Sequence, residues 1–241
     1  MAQPARIQAR VAELIEHSED LRTLVLAPER AAPRFRAGQF LHLAVDPYDP
    51  SSHWPESRIF SIASAPDERN RLRVTFSVVG SFTRRMLGLK VGDTVWVKLP
   101  YGDFFVETSA TAPAVLVAGG TGVTPFVALL AQTTPPPGPI WLLYGARTPQ
   151  LLIYREAISQ ATAACSQLKA TFLAEHGTLP EVKSGRLSAE EALQAAAAMG
   201  GSETARFYLS GPPGMLAALK ENLVGKGVDL SRIYIDAWGA L

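Results

Sequence analysis

A short apolar run that ends in closely spaced glycines constrains the fold of this chain more than any other feature. Residues 115–126 read V-L-V-A-G-G-T-G-V-T-P-F. The apolar run predicts a strand buried on both faces, and Pro125 suits the first turn of a helix. Glycines between the two permit positive φ and a close approach to the backbone, and a helix start presents free N–H groups. The segment therefore predicts a pyrophosphate-binding turn; the alternative is an ordinary strand–turn–helix.

Composition and charge exclude several classes of partner and site. The chain has 241 residues, a hydrophobic fraction of 47% and a formal net charge of +1, so we expect one large or two modest domains that bind neither nucleic acid nor an anionic membrane. The single cysteine, Cys165, excludes an internal disulfide, a cysteine-ligated iron–sulfur cluster and a four-thiolate zinc site. The four histidines lack metal-ligand spacing. Neither a secretory leader nor a membrane-spanning run is recognisable, so a cytoplasmic protein is expected.

The first 108 residues predict a domain of short strands that glycine and proline separate. Strands at this spacing favour a closed antiparallel barrel or a sandwich, and one helix is predicted at 83–89. A small polar stretch at 108–113 is the predicted linker to a second domain. The predicted strands span residues 6–16, 21–27, 38–45, 58–62, 71–79, 94–99 and 103–106.

Residues 109–241 predict an α/β domain, because strands there alternate with helices and such alternation implies a parallel sheet. Ligands of an open parallel sheet bind beyond the carboxyl ends of its strands. Three of the five predicted strands carry glycine at that end, at 119–122, 145–147 and 210–214. The predicted strands are 114–118, 139–144, 168–174, 205–210 and 232–236. The first predicted helix ends near residue 132, and the other three span 149–164, 188–199 and 212–226.

Two segments of the first domain carry chemistry that a cofactor would use. Residues 58–64 read R-I-F-S-I-A-S, which suits a ligand that is both anionic and flat or, alternatively, a plain barrel strand whose Arg58 pairs with an acidic neighbour. Residues 80–83 read G-S-F-T, where backbone N–H groups and the Thr83 hydroxyl form either a second anion site or an ordinary helix cap. Two such sites in two domains suggest two phosphate-bearing cofactors.

Four motifs in order resemble the ferredoxin–NADP reductase family of flavoproteins. The resemblance covers nearly the whole chain, and the C-terminal I-Y-I-D-A-W-G-A-L is similar to that of stand-alone flavin reductases. It implies a flavin-binding antiparallel barrel at 1–108 and an NAD(P)-binding, Rossmann-like domain at 109–241. The motifs are R-x-F-S-x-x-S at 58–64, G-x-x-T at 80–83, G-G-T-G-x-x-P at 119–125 and G-P-P-x-M at 211–215.

The resemblance also implies roles for individual residues. Arg58 would pair with a flavin phosphate, and Ser61 would hydrogen-bond flavin N5, the atom that accepts the hydride. Thr121 would lie near the nicotinamide, and Arg147 near the adenosine ribose. The implied catalytic residues are Ser61, Thr121, Ser210 and Trp238, and the implied cofactor-binding residues are Arg58, Phe60, Ser61, Ile62, Ser64, Val78, Gly80, Ser81, Phe82, Thr83, Gly119, Gly120, Thr121, Gly122, Arg147, Gly211, Pro212 and Met215.

The chain departs from the family pattern at two of these positions. Phe60 stands where the family often has tyrosine, which removes a hydroxyl contact to the cofactor. Ser210 stands where a cysteine is common, near the hydride path. Trp238 either covers the flavin until nicotinamide displaces it or is a packed chain end, and Asp236 is either a strand-end cap or a functional group.

The implied activity is hydride transfer from NAD(P)H to bound FAD, which is favoured over FMN. Electrons would then pass to a separate acceptor, either a small protein (ferredoxin, cytochrome, oxygenase component) or a diffusible oxidant. Arg147 favours NADPH slightly, whereas Glu175 is an acid that would suit NADH. The alternatives are a reductase that uses flavin as its substrate, an electron-transfer subunit of a larger complex, and a non-catalytic nucleotide sensor.

Overall fold

The computed structural model describes residues 3–134 and 136–236 and divides into two compact units. Of the described residues, 3–105 and 124–132 form the first unit, and 106–123, 133–134 and 136–236 form the second. Every helix within the described ranges is too short or too polar to span a bilayer. The same ranges contain no group of three or more His, Cys, Asp or Glu side chains arranged to hold a metal ion.

The first unit is a six-stranded antiparallel barrel, as the sequence predicts. Its sheet order is β4-β3-β6-β1-β2-β5, and hydrogen bonds just after β4 bring the two outer strands together, since the Ala63 N–H donates to the Arg73 carbonyl at 2.9 Å. One α-helix lies between the fifth and the sixth strand. The elements are β1 (Ala5–Ser18), β2 (Leu21–Pro28), β3 (Phe40–Ala44), β4 (Arg58–Ser61), β5 (Leu72–Ser77), α1 (Ser81–Leu87) and β6 (Thr94–Tyr101).

Alternating side chains build the barrel core. Ile7, Ala9 and Val11 of β1 are each 1% exposed, because successive side chains of a strand point to opposite faces and these three share the inner one. Leu41 and Leu43 of β3 are buried against the same core. The strand pattern therefore determines which face of each segment remains available at the surface.

The prediction of a strand at 103–106 is wrong. The Phe105 N–H donates to the carbonyl of Asp103 at 2.8 Å, a local turn that is incompatible with an extended ladder. The Arg36 guanidinium lies 3.7 Å from the centre of the Phe105 ring. Local backbone and side-chain bonds thus replace strand pairing here, while β6 runs to Tyr101, two residues further than predicted.

The second unit contains a six-stranded parallel sheet in which four of the five connections between successive strands include a helix, and it confirms the predicted Rossmann-like α/β architecture. Its order is β10-β9-β8-β7-β11-β12, and every pairing is parallel. The strands are β7 (Ala114–Gly119), β8 (Ile140–Ala146), β9 (Leu168–Ala174), β10 (Val182–Ser184), β11 (Arg206–Ser210) and β12 (Ile233–Ile235). The α-helices are α2 (Thr124–Leu130), α3 (Arg155–Ala164), α4 (Ala189–Ala198) and α5 (Pro213–Gly225), of which α2 is grouped with the first unit.

Local sequence explains most of these boundaries. All six residues of β7 are buried, as expected of a central parallel strand. Helix α4 begins after Ser188, whose hydroxyl accepts a hydrogen bond from the Glu191 N–H and so satisfies a free donor of the first turn. Strand β10 was not predicted, because it has three residues, two of them exposed, and so carries no readable periodicity.

The predicted linker at 108–113 is folded as a tight turn. Ser109 and Ala112 exchange both backbone hydrogen bonds, at 3.1 and 3.2 Å. The Thr108 hydroxyl accepts a hydrogen bond from the Gly138 N–H at 3.1 Å. An added Cβ at Gly138 would lie 2.1 Å from the Ser109 carbonyl oxygen, so the turn is packed onto the second unit.

Candidate functional site

The sequence predicts five strand ends in the second unit at which a ligand could bind, and the observed strand order singles out two of them. The chain proceeds outward from β7 through β8, β9 and β10 and then returns to the other side of β7 with β11. Ligands of open α/β sheets bind at such a reversal of strand order, beyond the carboxyl ends. The segments there are Gly119–Gly122, which starts at the last residue of β7, and Ser210–Gly211 at the end of β11, so we take them as the candidate site of this unit.

Glycines allow the segments around this site to touch. An added Cβ at Gly122 would lie 2.4 Å from the Ser210 carbonyl oxygen, and one at Gly119 would lie 2.5 Å from Met215 Sδ. An added Cβ at Gly211 would lie 2.6 Å from Met215 Cε. The Met215 side chain therefore occupies the space next to Gly119 and Gly211. Its contact with a cofactor stays a prediction.

Gly120 and Thr121 form the accessible part of the turn. Gly120 has φ +54°, and an added Cβ there would meet no described atom within 4 Å. Both residues are partly exposed, and they begin a 3-10 turn at Gly120–Val123 that continues directly into α2. The predicted α-helix thus begins after this turn, and Pro125 is its second residue.

Ser210 and Asp236 form a buried polar pair at the ends of β11 and β12. The Ser210 hydroxyl donates to Asp236 Oδ2 at 3.0 Å, and the two residues are 1% and 5% exposed. The Asp236 N–H donates to the carbonyl of Leu209 at 2.9 Å. The carboxylate therefore orients the Ser210 hydroxyl beside Gly211. Trp238, a predicted catalytic residue, lies outside the described residues.

Arg147 and Glu175 follow the neighbouring strands β8 and β9, as their sequence positions predict. Arg147 is exposed, and its carbonyl accepts a hydrogen bond from the His176 N–H at 2.9 Å. The Glu175 carboxylate is bound by Arg186, with Nε and Nη2 both 2.9 Å from Oε2. Arg186 was not predicted from the sequence, and it follows β10, a strand that was also not predicted.

In the barrel, the fold brings the arginine of the first motif to the turn of the second. The Arg58 guanidinium carbon lies 5.2 Å from the centre of the Phe82 ring, and Arg58 Nη2 is 2.8 Å from Glu56 Oε1. Arg58 Nη1 donates to the Ser57 carbonyl at 2.9 Å. Arg58 thus lies over the Phe82 ring and pairs with an acidic neighbour, as the alternative interpretation of this strand predicts. Its contact with a flavin phosphate stays a prediction.

The Thr83 hydroxyl shapes the turn between β5 and α1. It accepts hydrogen bonds from the N–H groups of Val79 and Gly80, at 3.0 and 3.1 Å, and donates to the Gly80 carbonyl at 3.1 Å. Thr83 is 7% exposed, whereas Ser81 is exposed. The hydroxyl therefore holds the backbone of the turn, and Gly80 and Ser81 form its outward surface.

The remaining predicted residues of the barrel are buried or partly buried. Phe60 and Val78 pack against the barrel core. Ile62 and Ser64 are buried, and the Ser64 hydroxyl accepts a hydrogen bond from the backbone N–H of Arg73 in β5 at 3.1 Å. Ser61, the last residue of β4, is partly exposed. Of this group, Ser61 is the side chain best placed to meet a ligand.

Comparison with known proteins gives the same architecture. Residues 116–221 match the family model of the oxidoreductase NAD-binding domain. The reductase component of propane 2-monooxygenase from Rhodococcus jostii (strain RHA1) is 29% identical over 243 residues, which cover 95% of this chain and 63% of that protein. The chain spans less than two thirds of the length of the curated relatives that it matches over nearly its whole length.

Two solved structures share the fold. The flavohem-like FAD/NAD-binding domain of nitric oxide dioxygenase from Vibrio cholerae has a TM-score of 0.77 and 23% identity, covering 95% of this chain and 97% of that one. A ferredoxin NADP⁺ reductase from Neisseria gonorrhoeae, with bound FAD and NADP, has a TM-score of 0.76 and 18% identity, covering 98% and 99%. These findings confirm the resemblance at the level of the fold: the chain has the two-domain fold of the ferredoxin–NADP reductase-like flavoprotein reductases, and residues 116–221 match the oxidoreductase NAD-binding domain.

Proposed function

We propose that this chain is an NAD(P)H-dependent flavoprotein oxidoreductase that holds FAD on its barrel and NAD(P)H on its α/β unit. When bound, the two cofactors supply the hydride chemistry: the nicotinamide gives a hydride and the flavin accepts it. The observation that carries the proposal is the reversal of strand order between β7 and β11, where Gly122 contacts the backbone of the buried Ser210 and Gly120 leaves its outward side open. Residues 116–221 of the same chain match an NAD-binding domain.

The residues of the α/β unit fit a dinucleotide. Gly120 leaves its outward side open, so a pyrophosphate can approach the backbone there, as in other glycine-rich turns of this architecture. The Asp236 carboxylate orients the Ser210 hydroxyl, which lets Ser210 and Thr121 flank the nicotinamide. Arg147 would contact the adenosine ribose and, in NADPH, its 2′-phosphate.

The residues of the barrel fit a phosphate-bearing flavin. The Arg58 guanidinium is stacked on Phe82 beside the partly exposed Gly80 and the exposed Ser81, and such a planar cation suits phosphate. Ser61 would donate a hydrogen bond to flavin N5, with Phe60 against the flavin. FAD is preferred to FMN in this proposal, because the resemblance implies a pyrophosphate at Gly80–Thr83.

Electrons would leave to a separate acceptor. Similarity to reductase components, such as that of propane 2-monooxygenase, supports an oxygenase component, ferredoxin or cytochrome as the acceptor, with a diffusible oxidant as the other option. We also propose a domain boundary at 108/109 and a cytoplasmic location. A panel of acceptors assayed with NADH and with NADPH would identify both the acceptor and the preferred nicotinamide.

A reduction assay tests the central proposal. Purified protein should bind FAD, absorb in the visible range, and lose that absorbance anaerobically on addition of NADH or NADPH. Ser61→Ala should slow the reduction about tenfold to a hundredfold, because one oriented hydrogen bond to the reacting atom is removed, while FAD binding changes little. Protein that takes up no flavin and oxidises neither nicotinamide would refute the proposal.

One observation favours a second candidate, a reductase that releases flavin as its product. The arginine proposed to hold the flavin phosphate is already bound by Glu56, and this pairing would lower the affinity for flavin. Rapid turnover with free riboflavin or FMN as the oxidised substrate would favour this candidate. Catalytic FAD that stays bound through gel filtration would favour the first.

A further inference from the structure

Four charged side chains form a connected group around the proposed phosphate-binding arginine, and the proposed function leaves three of them unexplained. The Glu56 carboxylate bridges two guanidinium groups, with Oε1 2.8 Å from Arg58 Nη2 and Oε2 3.3 Å from Arg85 Nη1. Arg85, on α1, also pairs with Asp46. These side chains come from three separate segments of the barrel, so their meeting is a property of the fold.

The charges of this group cancel, since it contains two arginines and two carboxylates. A neutral group attracts a phosphate far less than two unpaired guanidinium groups would, because each guanidinium already has a carboxylate within contact distance. The Arg58 fork that would bind phosphate in a bidentate manner has one Nη bound to Glu56 and the other to the Ser57 carbonyl. A phosphate that binds Arg58 must therefore displace Glu56 or share the guanidinium with it.

Solvent exposure makes such a displacement feasible. The side chains of Arg58 and Glu56 are 51% and 48% exposed, and ion pairs of this exposure contribute little net free energy. The Phe82 ring supports the guanidinium on a separate side, so the arginine keeps a packing partner when its carboxylate partner changes.

We infer that Glu56 is a specificity-determining residue that competes with the flavin phosphate for Arg58 and thereby weakens the binding of FAD and FMN. This inference rests on the proposed flavin site of the barrel. Removing the Glu56 charge leaves the group with a net positive charge beside the Gly80 turn. Flavins that carry phosphate then bind more tightly, whereas riboflavin, which has no phosphate, is unaffected.

The test compares Glu56→Gln with the wild-type chain. Gln keeps the size and an acceptor oxygen and removes only the charge. Equilibrium dialysis of the full-length protein against FAD, FMN and riboflavin should give dissociation constants about threefold to tenfold lower for FAD and FMN in the variant, with riboflavin unchanged. The matched control is Glu13→Gln, which removes an equally exposed carboxylate from a barrel pair with Arg71 at 2.6 Å and should leave all three constants unchanged.

The outcomes separate the inference from the function on which it rests. If the wild-type chain binds FAD and Glu56→Gln binds FAD and FMN no more tightly, the inference is wrong and the proposed function stands. An equal gain for riboflavin would also refute the inference, because the gain would not depend on phosphate. If neither the wild-type chain nor Glu56→Gln binds any flavin, although the variant unfolds at the same temperature as the wild type, the proposed function fails and the inference fails with it.

Discussion

The turn at Gly80 in the barrel and the turn at Gly119–Gly122 in the α/β unit contain glycine for different physical reasons. An added Cβ at Gly122 would lie 2.4 Å from the Ser210 carbonyl oxygen, whereas one at Gly80 would meet no described atom within 4 Å. The backbone at Gly80 is extended, with φ −159°, so other residues can adopt it. Glycine is therefore required by packing in the α/β turn, and in the barrel turn it leaves space on the outside.

The two turns are also stabilised differently. The Thr83 side chain makes three hydrogen bonds that shape the barrel turn, whereas the α/β turn is shaped by close contact between its backbone and the end of β11. The comparison teaches that one turn depends on a single hydroxyl and the other on the absence of side-chain volume. Four substitutions test this difference, in order of decreasing effect.

Gly122→Ala should cause the largest loss, lowering the free energy of unfolding by about 3 kcal/mol, because backbone on both sides of the contact has little freedom to move. Urea denaturation gives the magnitude, and hydrogen exchange of residues 114–123 shows whether the loss is local. The control in the same unit is Gly225→Ala, where an added Cβ meets no described atom within 4 Å and should be neutral or slightly stabilising. A loss below about 1 kcal/mol at Gly122 would remove the packing argument.

Thr83→Val should cost about 2 kcal/mol, because it removes a hydroxyl that accepts from two backbone N–H groups and replaces it with a methyl of similar size. The same urea denaturation measures the change, and exchange of the Val79 and Gly80 amides should accelerate. Thr83→Ser keeps the hydroxyl and should restore most of the loss. Equal stability of the Val and Ser variants would mean that the hydroxyl does not hold the turn.

Ser210→Ala should cost about 1–2 kcal/mol, because the buried Asp236 carboxylate loses a donor. The loss should be smaller than at Gly122, since a small side chain is removed and no backbone contact is broken. Thermal unfolding monitored by near-ultraviolet circular dichroism measures it. Unchanged stability, together with unchanged turnover of NAD(P)H, would show that the Ser210–Asp236 pair supports neither the fold nor the proposed site.

Gly80→Ala should have the smallest effect on stability, within about 0.5 kcal/mol, because the backbone conformation is open to alanine and the added methyl points into free space. If the barrel turn binds the flavin pyrophosphate, the same methyl should weaken FAD binding severalfold. A loss of stability comparable to that of Gly122→Ala would end the distinction between the two turns.

The sequence predicted the α/β unit more closely than the barrel. Helices predicted at 188–199 and 212–226 are found at Ala189–Ala198 and Pro213–Gly225, because a capping serine and paired prolines mark their starts. The barrel strand predicted at 103–106 is a turn instead, since apolar residues in a short segment do not reveal whether a neighbouring strand is available to pair with it.

The candidate sites were also predicted unevenly. The glycines at 119–122 and the arginine at position 58 are recognisable as motifs, because the backbone geometry and charge that they provide are properties of single residues. Arg186 and Glu56 carried no local signal. Their relevance comes from the Glu175 and Arg58 side chains that they contact, and such contacts arise only when distant segments are folded together.

The sequence by itself determined most of the local elements: the longer strands and helices, where glycine permits a tight turn, and which family the four motifs resemble. The tertiary structure alone decided the strand order, and with it the reversal between β7 and β11 that selects two strand ends out of five. It also decided that Glu56 bridges Arg58 and Arg85. The physical reason is range: periodicity and turn chemistry act over a few residues, whereas sheet order and side-chain partners depend on packing between residues far apart in the chain.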